Sequence, residues 1–130
     1  PQNNRSQLVD TGRNRLIVDA YNANPTSMMA ALKNFCQLEA AHKMVILGDM
    51  KELGTGSLEE HRKIIDFVDG CGFERVLLVG SEFAAATSHY EHFADVDAVI
   101  ADLESHRPEK YFILVKGSNS MKLSRLPEYL

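Results

Sequence analysis

The chain has 130 residues, with 14 Lys and Arg against 18 Asp and Glu and a formal net charge of −4. Hydrophobic residues make up 45% and charged residues 25%, the balance of one ordinary globular domain that can bury a core without metals or disulfides. The acidic balance argues against a nucleic-acid module, no apolar run approaches the roughly 20 residues of a membrane span, and no secretory leader opens the chain. It begins at Pro1 rather than Met, as a fragment would. Cys36 and Cys71 stand in no CxxC or zinc spacing. Both fall in helical patterns and are expected as buried, reduced thiols, which fits a reducing cytosol.

In chain order, residues 1–7 are polar and aperiodic and read as a linker. Leu8 to Thr11 predicts a short strand turned by Gly12. Arg15 to Asp19 predicts a buried strand ending in a carboxylate. Asn24 and Pro25 then read as an N-cap and first helical residue. From Pro25 to Ala41 the period is helical, with Met28, Leu32, Phe35 and Cys36 on one face. Lys43 to Leu47 is the next strand, ending in Gly48-Asp49. After a glycine-broken loop, Ser57 with Glu60 predicts a capping box and a helix lined by Ile64, Ile65, Phe67 and Val68. Arg75 to Val79 is a strand, and Ser81 is expected to cap a helix reaching about Ser88. His89 to Phe93 reads as a short edge strand, Val96 to His106 as an amphipathic helix stopped by Pro108, and Tyr111 to Val115 as the last strand. A short helix from about Ser120 closes the chain. Strands alternating with helices imply βαβ units, an α/β fold with a mainly parallel sheet and helices on both faces.

The chemical signal is positional. The strands end in Asp19, Gly48-Asp49, Gly80-Ser81 and Lys116-Gly117-Ser118, which a parallel sheet brings to one edge. Two carboxylates, a lysine and several free backbone amides would converge there. That set suits a polyhydroxylated, phosphorylated ligand, with a carboxylate for ribose hydroxyls and the lysine for phosphate. Turn chemistry alone also favours Gly, Ser and Asp at such places. No GxxxxGK[ST] and no nucleophile elbow occur. His89 and His92 lack an evident third metal ligand, so a solvated surface is expected. His61 lies inside a helix and could face either the site or solvent.

Asp19-Ala20-Tyr21-Asn22-Ala23-Asn24-Pro25 resembles the signature of the Mur ligases, in the branch that joins D-Ala-D-Ala to UDP-MurNAc-tripeptide. Asn3 to Gln7 resembles the end of that family's central ATPase domain. Gly48 to Gly54, with His61 downstream, resembles its second strand-end loop, and Val115 to Ser118 followed by Ser120-Met121 its last. The resemblance covers the whole chain. It implies a three-layer Rossmann-like C-terminal domain over residues 8–130 of a bacterial, cytoplasmic, three-domain enzyme. It also implies ATP and Mg²⁺, bound mainly by the central domain, and a reaction through an acyl phosphate of the acceptor peptide. Carried over by position, Asp19 would meet the ribose, and Tyr21, Asn22 and Asn24 would border the nucleotide. Arg5 would sit at the hinge near the phosphates. Asp49, Lys116, Gly117 and Ser118 would line the closed cleft on the dipeptide side, with no metal ligand in this chain. Asp19 and Lys116 would serve catalysis. Asn119 departs from the family, which often has arginine there. The competing reading is a receiver-like or nucleotide-binding regulatory module, in which Asp49 would be a phosphoacceptor.

Overall fold

Uninterrupted apolar runs such as Leu16-Ile17-Val18 and Met44-Val45-Ile46-Leu47 require cover on both faces of a strand. In a computed structural model, which describes residues 6–86 and 89–130, Gln7–Asp10 (β1), Arg15–Asp19 (β2), Lys43–Gly48 (β3), Arg75–Val79 (β4), Glu91–Phe93 (β5) and Phe112–Lys116 (β6) form one sheet. Its order is β1-β2-β6-β3-β4-β5. β1 pairs antiparallel with β2, and every other pairing is parallel. The proposed hinge residue Arg5 lies outside the described residues, as does Ser88, the expected end of one helix.

Leu16, Val18, Met44, Ile46, Leu77, Val79, Ile113 and Val115 point to one face, where they pack with Val96–Ser105 (α4) and the C-terminal Met121, Leu123, Leu126 and Leu130. Val45, Leu47, Val76, Leu78 and Leu114 point to the other. There they meet Pro25–Gln37 (α1), Ser57–Asp69 (α2) and Ser81–Ala86 (α3). This period of two, buried on both sides, is what a central parallel sheet requires. The architecture is the expected three-layer, Rossmann-like α/β fold.

Several local expectations change. α1 starts as read: Asn24 Oδ1 accepts from the Ser27 amide at 2.8 Å, and Ser27 Oγ accepts from the Asn24 amide at 3.1 Å. That reciprocal pair is a capping box. The helix stops at Gln37, not Ala41, because Lys43 reaches back to the carbonyls of Phe35, Cys36 and Leu38 at 2.8, 2.9 and 2.8 Å. The capping box expected at Ser57 does not form. The 3₁₀ turn Gly54–Gly56 runs straight into α2, so Ser57 is already helical and its hydroxyl donates to Glu82 instead. The C-terminal helix is three successive 3₁₀ turns, Asn119–Met121, Leu123–Arg125 and Pro127–Tyr129. Cys36 and Cys71 are half-buried rather than buried, and neither is in a disulfide.

Candidate functional site

β6 is last in sequence but sits between β2 and β3. The loop after β2 leads to α1 on one face, whereas the segment after β6 packs on the opposite face. Neighbouring strand ends whose connections diverge leave a crevice at the carboxyl edge, the usual ligand position in open α/β sheets. Asp19 and Lys116 are register partners across this crevice. Lys116 Nζ donates to Asp19 Oδ2 at 2.8 Å and to the Asn22 carbonyl at 2.9 Å. The lysine side chain is 1% exposed and the carboxylate 18%. Ser6 Oγ donates to the same Asp19 Oδ2 at 3.3 Å. Asp19 Oδ1 accepts no hydrogen bond among the described residues. Oδ2 is thus anchored at the carboxyl edge of the sheet. Tyr21, Asn22 and Asn24 are exposed on the adjoining loop.

Asp49 is brought to the same edge but is committed elsewhere. Its carboxylate is fully buried, and its two oxygens accept from the Glu82 and Phe83 amides at 2.9 Å each. It therefore caps α3, the role the sequence pattern assigned to Ser81. A carboxylate at a helix N-terminus satisfies orphan amides and complements the dipole. Gly80, at φ +114°, leaves the space this carboxylate fills. The expected free amides are mostly used internally. Gly80 N–H donates to Phe93 O at 2.8 Å and Asp49 N–H to Val79 O at 3.0 Å. The amides of Gly117 and Ser118 approach Asp19 O and Asp49 O at 3.4 Å. Gly117 packs on Gly48 and Leu123, so its lack of a side chain serves strand packing. The buried, doubly bonded Asp49 removes the receiver-like reading, which needs an open phosphoacceptor.

His61, left open between site and solvent, is fully buried. Its Nε2 accepts from the Met50 amide at 3.1 Å, so the neutral ring carries its proton on Nδ1, which lies 2.8 Å from the Ser57 carbonyl. The ring meets Phe83 edge-on at 4.6 Å. His61 therefore ties the loop after β3 to α2 and α3. Only its position four residues after Ser57 hinted at this. The Ser57–Glu82 bond had no signal in the sequence, since its partners are 25 residues apart. His89 pairs with Asp69 at 3.0 Å rather than with His92.

Beside the crevice, on the β4 side, is a cavity of about 350 Å³ bordered by Ser81, Asp95, Asp97, Ser120 and Lys122, among others. It presents both signs of charge. Among the described residues no three His, Cys, Asp or Glu side chains are placed to hold a metal ion.

Fold and crevice together define an α/β domain that presents an anchored carboxylate at a strand-end opening. The family described as "Mur ligase, glutamate ligase domain" matches residues 4–119. The chain is 30% identical over 131 residues to the UDP-N-acetylmuramoyl-tripeptide–D-alanyl-D-alanine ligase of Rickettsia prowazekii, covering 96% of this chain and 29% of the relative. It is 34% identical over 124 residues to the Escherichia coli ligase of the same name, covering 91% and 27%. A crystal structure of MurF from Acinetobacter baumannii superposes with a TM-score of 0.79 at 28% identity, covering 95% of this chain and 28% of that one. The Thermotoga maritima MurF ligase, solved in complex with ADP, shares the fold with a TM-score of 0.80 at 21% identity, covering 97% and 30%. This chain belongs to the Mur ligase family. It spans under a third of the length of these relatives. No described helix is long and apolar enough to cross a membrane.

Proposed function

We propose that the domain beginning at β1 is the C-terminal domain of a bacterial, cytoplasmic ligase that adds D-Ala-D-Ala to UDP-MurNAc-tripeptide in peptidoglycan precursor synthesis, joined through the residues before it to a central ATPase domain. The observation that carries this is Asp19 within the DAYNANP loop, with one oxygen held by Lys116 at 2.8 Å at the strand-end edge. A carboxylate fixed in that way is a ready acceptor for the ribose hydroxyls of ATP, which enters as substrate. Tyr21, Asn22 and Asn24 border the nucleotide. In the reaction, phosphoryl transfer from ATP activates the acceptor carboxylate as an acyl phosphate. The dipeptide amine then attacks that carbonyl, and phosphate leaves. Lys116 orients Asp19, and Gly117 and Ser118 border the cleft on the dipeptide side. The adjoining cavity, with Asp95 and Asp97 as well as Lys51, Lys122 and Arg125 on its walls, suits a zwitterionic dipeptide. Mg²⁺ and the triphosphate belong to the central domain, since this chain has no P-loop, and the isolated chain is expected to be inactive.

The test uses the complete parent enzyme. Phosphate release should require ATP, UDP-MurNAc-tripeptide and D-Ala-D-Ala together. Asp19→Asn should lower kcat/KM for ATP by roughly 10- to 150-fold, the loss of charged hydrogen bonds worth about 1.5–3 kcal/mol. Unchanged ATP dependence in a folded variant removes Asp19 from the site. Turnover by the 130-residue chain alone overturns the domain reading.

A further inference from the structure

At the amino ends of β2, β3 and β6 lies a second cavity, of about 360 Å³, bordered by Asp10, Arg13, Arg15, His42, Lys110 and Tyr111, among others. It opens on the opposite edge of the sheet from Asp19 and Lys116, roughly 13 Å away by the rise of β2. Three permanent cations converge there in a chain whose net charge is −4. Among the described residues, Arg15 and Lys110 are in no ion pair, and Arg13 Nε reaches the Leu130 backbone oxygen, part of the terminal carboxylate in the 130-residue chain, whereas Arg75 and Arg125 elsewhere pair with side-chain carboxylates. The one carboxylate on the wall, Asp10, accepts from the Gly12 amide at 2.8 Å. The nearby Glu74 is taken by His42 and Tyr111, each at 2.7 Å.

The cations are also held in place. Arg15 lies over the Phe112 ring at 4.6 Å, and Arg13 Nε donates to the Leu130 carbonyl at 3.2 Å. Lys110 adopts φ +66°, a left-handed conformation that a lysine rarely takes. Its amide donates to Arg13 O at 2.8 Å, and Asn14 Nδ2 holds Pro108 O at 2.9 Å. The structure maintains a disfavoured backbone at the point where Lys110 joins Arg13 and Arg15 on the cavity wall. Like charges gathered without side-chain carboxylate partners are stabilised by a multivalent anion, and guanidiniums match phosphate oxygens in two-point contacts.

We propose that this cavity is a binding site for a di- or triphosphate group, separate from the strand-end crevice and independent of the ligase reading. The probe is inorganic pyrophosphate, titrated into the 130-residue chain and followed by amide NMR shifts. The expected Kd is about 0.1–1 mM at low salt. Shifts should be confined to residues 10–15, 40–42 and 110–112, and should weaken as salt screens the charges. Lys110→Gly removes the ammonium at a position whose backbone suits glycine, so it should keep the fold while weakening binding at least about fivefold. Adding Arg15→Gln should weaken it at least about tenfold further. Lys33→Gln with Arg62→Gln removes two exposed cations elsewhere and should leave Kd unchanged. Equal weakening by that control pair, or shifts centred on residues 19–24, overturns the proposal. So does an absence of binding to the folded wild-type chain.

Discussion

The carboxylate of Asp49 occupies the space where a β-carbon at Gly80 would stand. Position 80 also has φ +114°, so a side chain there meets both backbone strain and a buried charge. Gly80→Ala should destabilise the chain by about 3 kcal/mol or more, since Asp49 cannot withdraw without orphaning two helix amides. Urea denaturation checks this. A loss below about 1 kcal/mol means that α3 shifts without cost.

The Asp19–Lys116 pair should respond unequally to the loss of either member. Lys116 is 1% exposed and Asp19 18%. Removing the carboxylate strands a buried ammonium, whereas removing the ammonium leaves a carboxylate that water can reach. Asp19→Ala should therefore cost about 3 kcal/mol and Lys116→Met about 1 kcal/mol. Equal costs in chemical denaturation would show that water reaches both groups. The sequence pattern suggested Lys116 as a phosphate ligand; its ammonium instead joins the ends of β6 and β2 through Asp19 and the Asn22 carbonyl.

Acid should weaken the fold through two carboxylates. The Tyr90 hydroxyl, then His89, holds Asp69 below its usual range, and His42, then Tyr111, does the same for Glu74. A depressed folded pKa gives stability that is present above the unfolded value and lost as pH falls through the folded one. The contribution should be intact at neutral pH and decline below about pH 4.5. Carboxyl NMR titration should place both midpoints below those of a denatured control. Midpoints at the control values would mean that these contacts are not kept in solution.

Cys71 should resist alkylation. Burial, then the neighbouring Cys36 thiol, pushes it up to about 12. At pH 8 its thiolate fraction is about a thousandfold below that of an ordinary cysteine. Mass spectrometry after iodoacetamide treatment should find Cys71 unmodified in the native chain and labelled after unfolding. Rapid native labelling would show that its helix end opens readily.

The layers were legible because short uninterrupted apolar runs alternate with segments of helical period. Leu16-Ile17-Val18 is apolar toward both faces, as a strand covered on both sides must be. The Asn24-Pro25 start of α1 was legible for the same local reason. Ser57 misled because its pattern fits a capping box, while its hydroxyl finds Glu82 across a fold that no window displays. Asp49 was placed at the right edge, but whether it faced a ligand or a helix depended on where α3 begins after β4. The amino-edge cluster escaped notice because Arg13, Arg15, His42 and Lys110 come from three separate stretches. Only the sheet order makes them neighbours.

The position of β6 also orders the events of synthesis. The strand that joins β2 to β3 is the last to be made, and its bonds to β2 close a loop of nearly the whole chain. A nascent polypeptide that has emerged through α4 holds all four described helices but no central strand. Its two half-sheets, β1-β2 and β3-β4-β5, each present an unpaired apolar edge until residues 112–116 arrive. Such distant pairing slows folding and leaves those edges open to other chains until β6 docks.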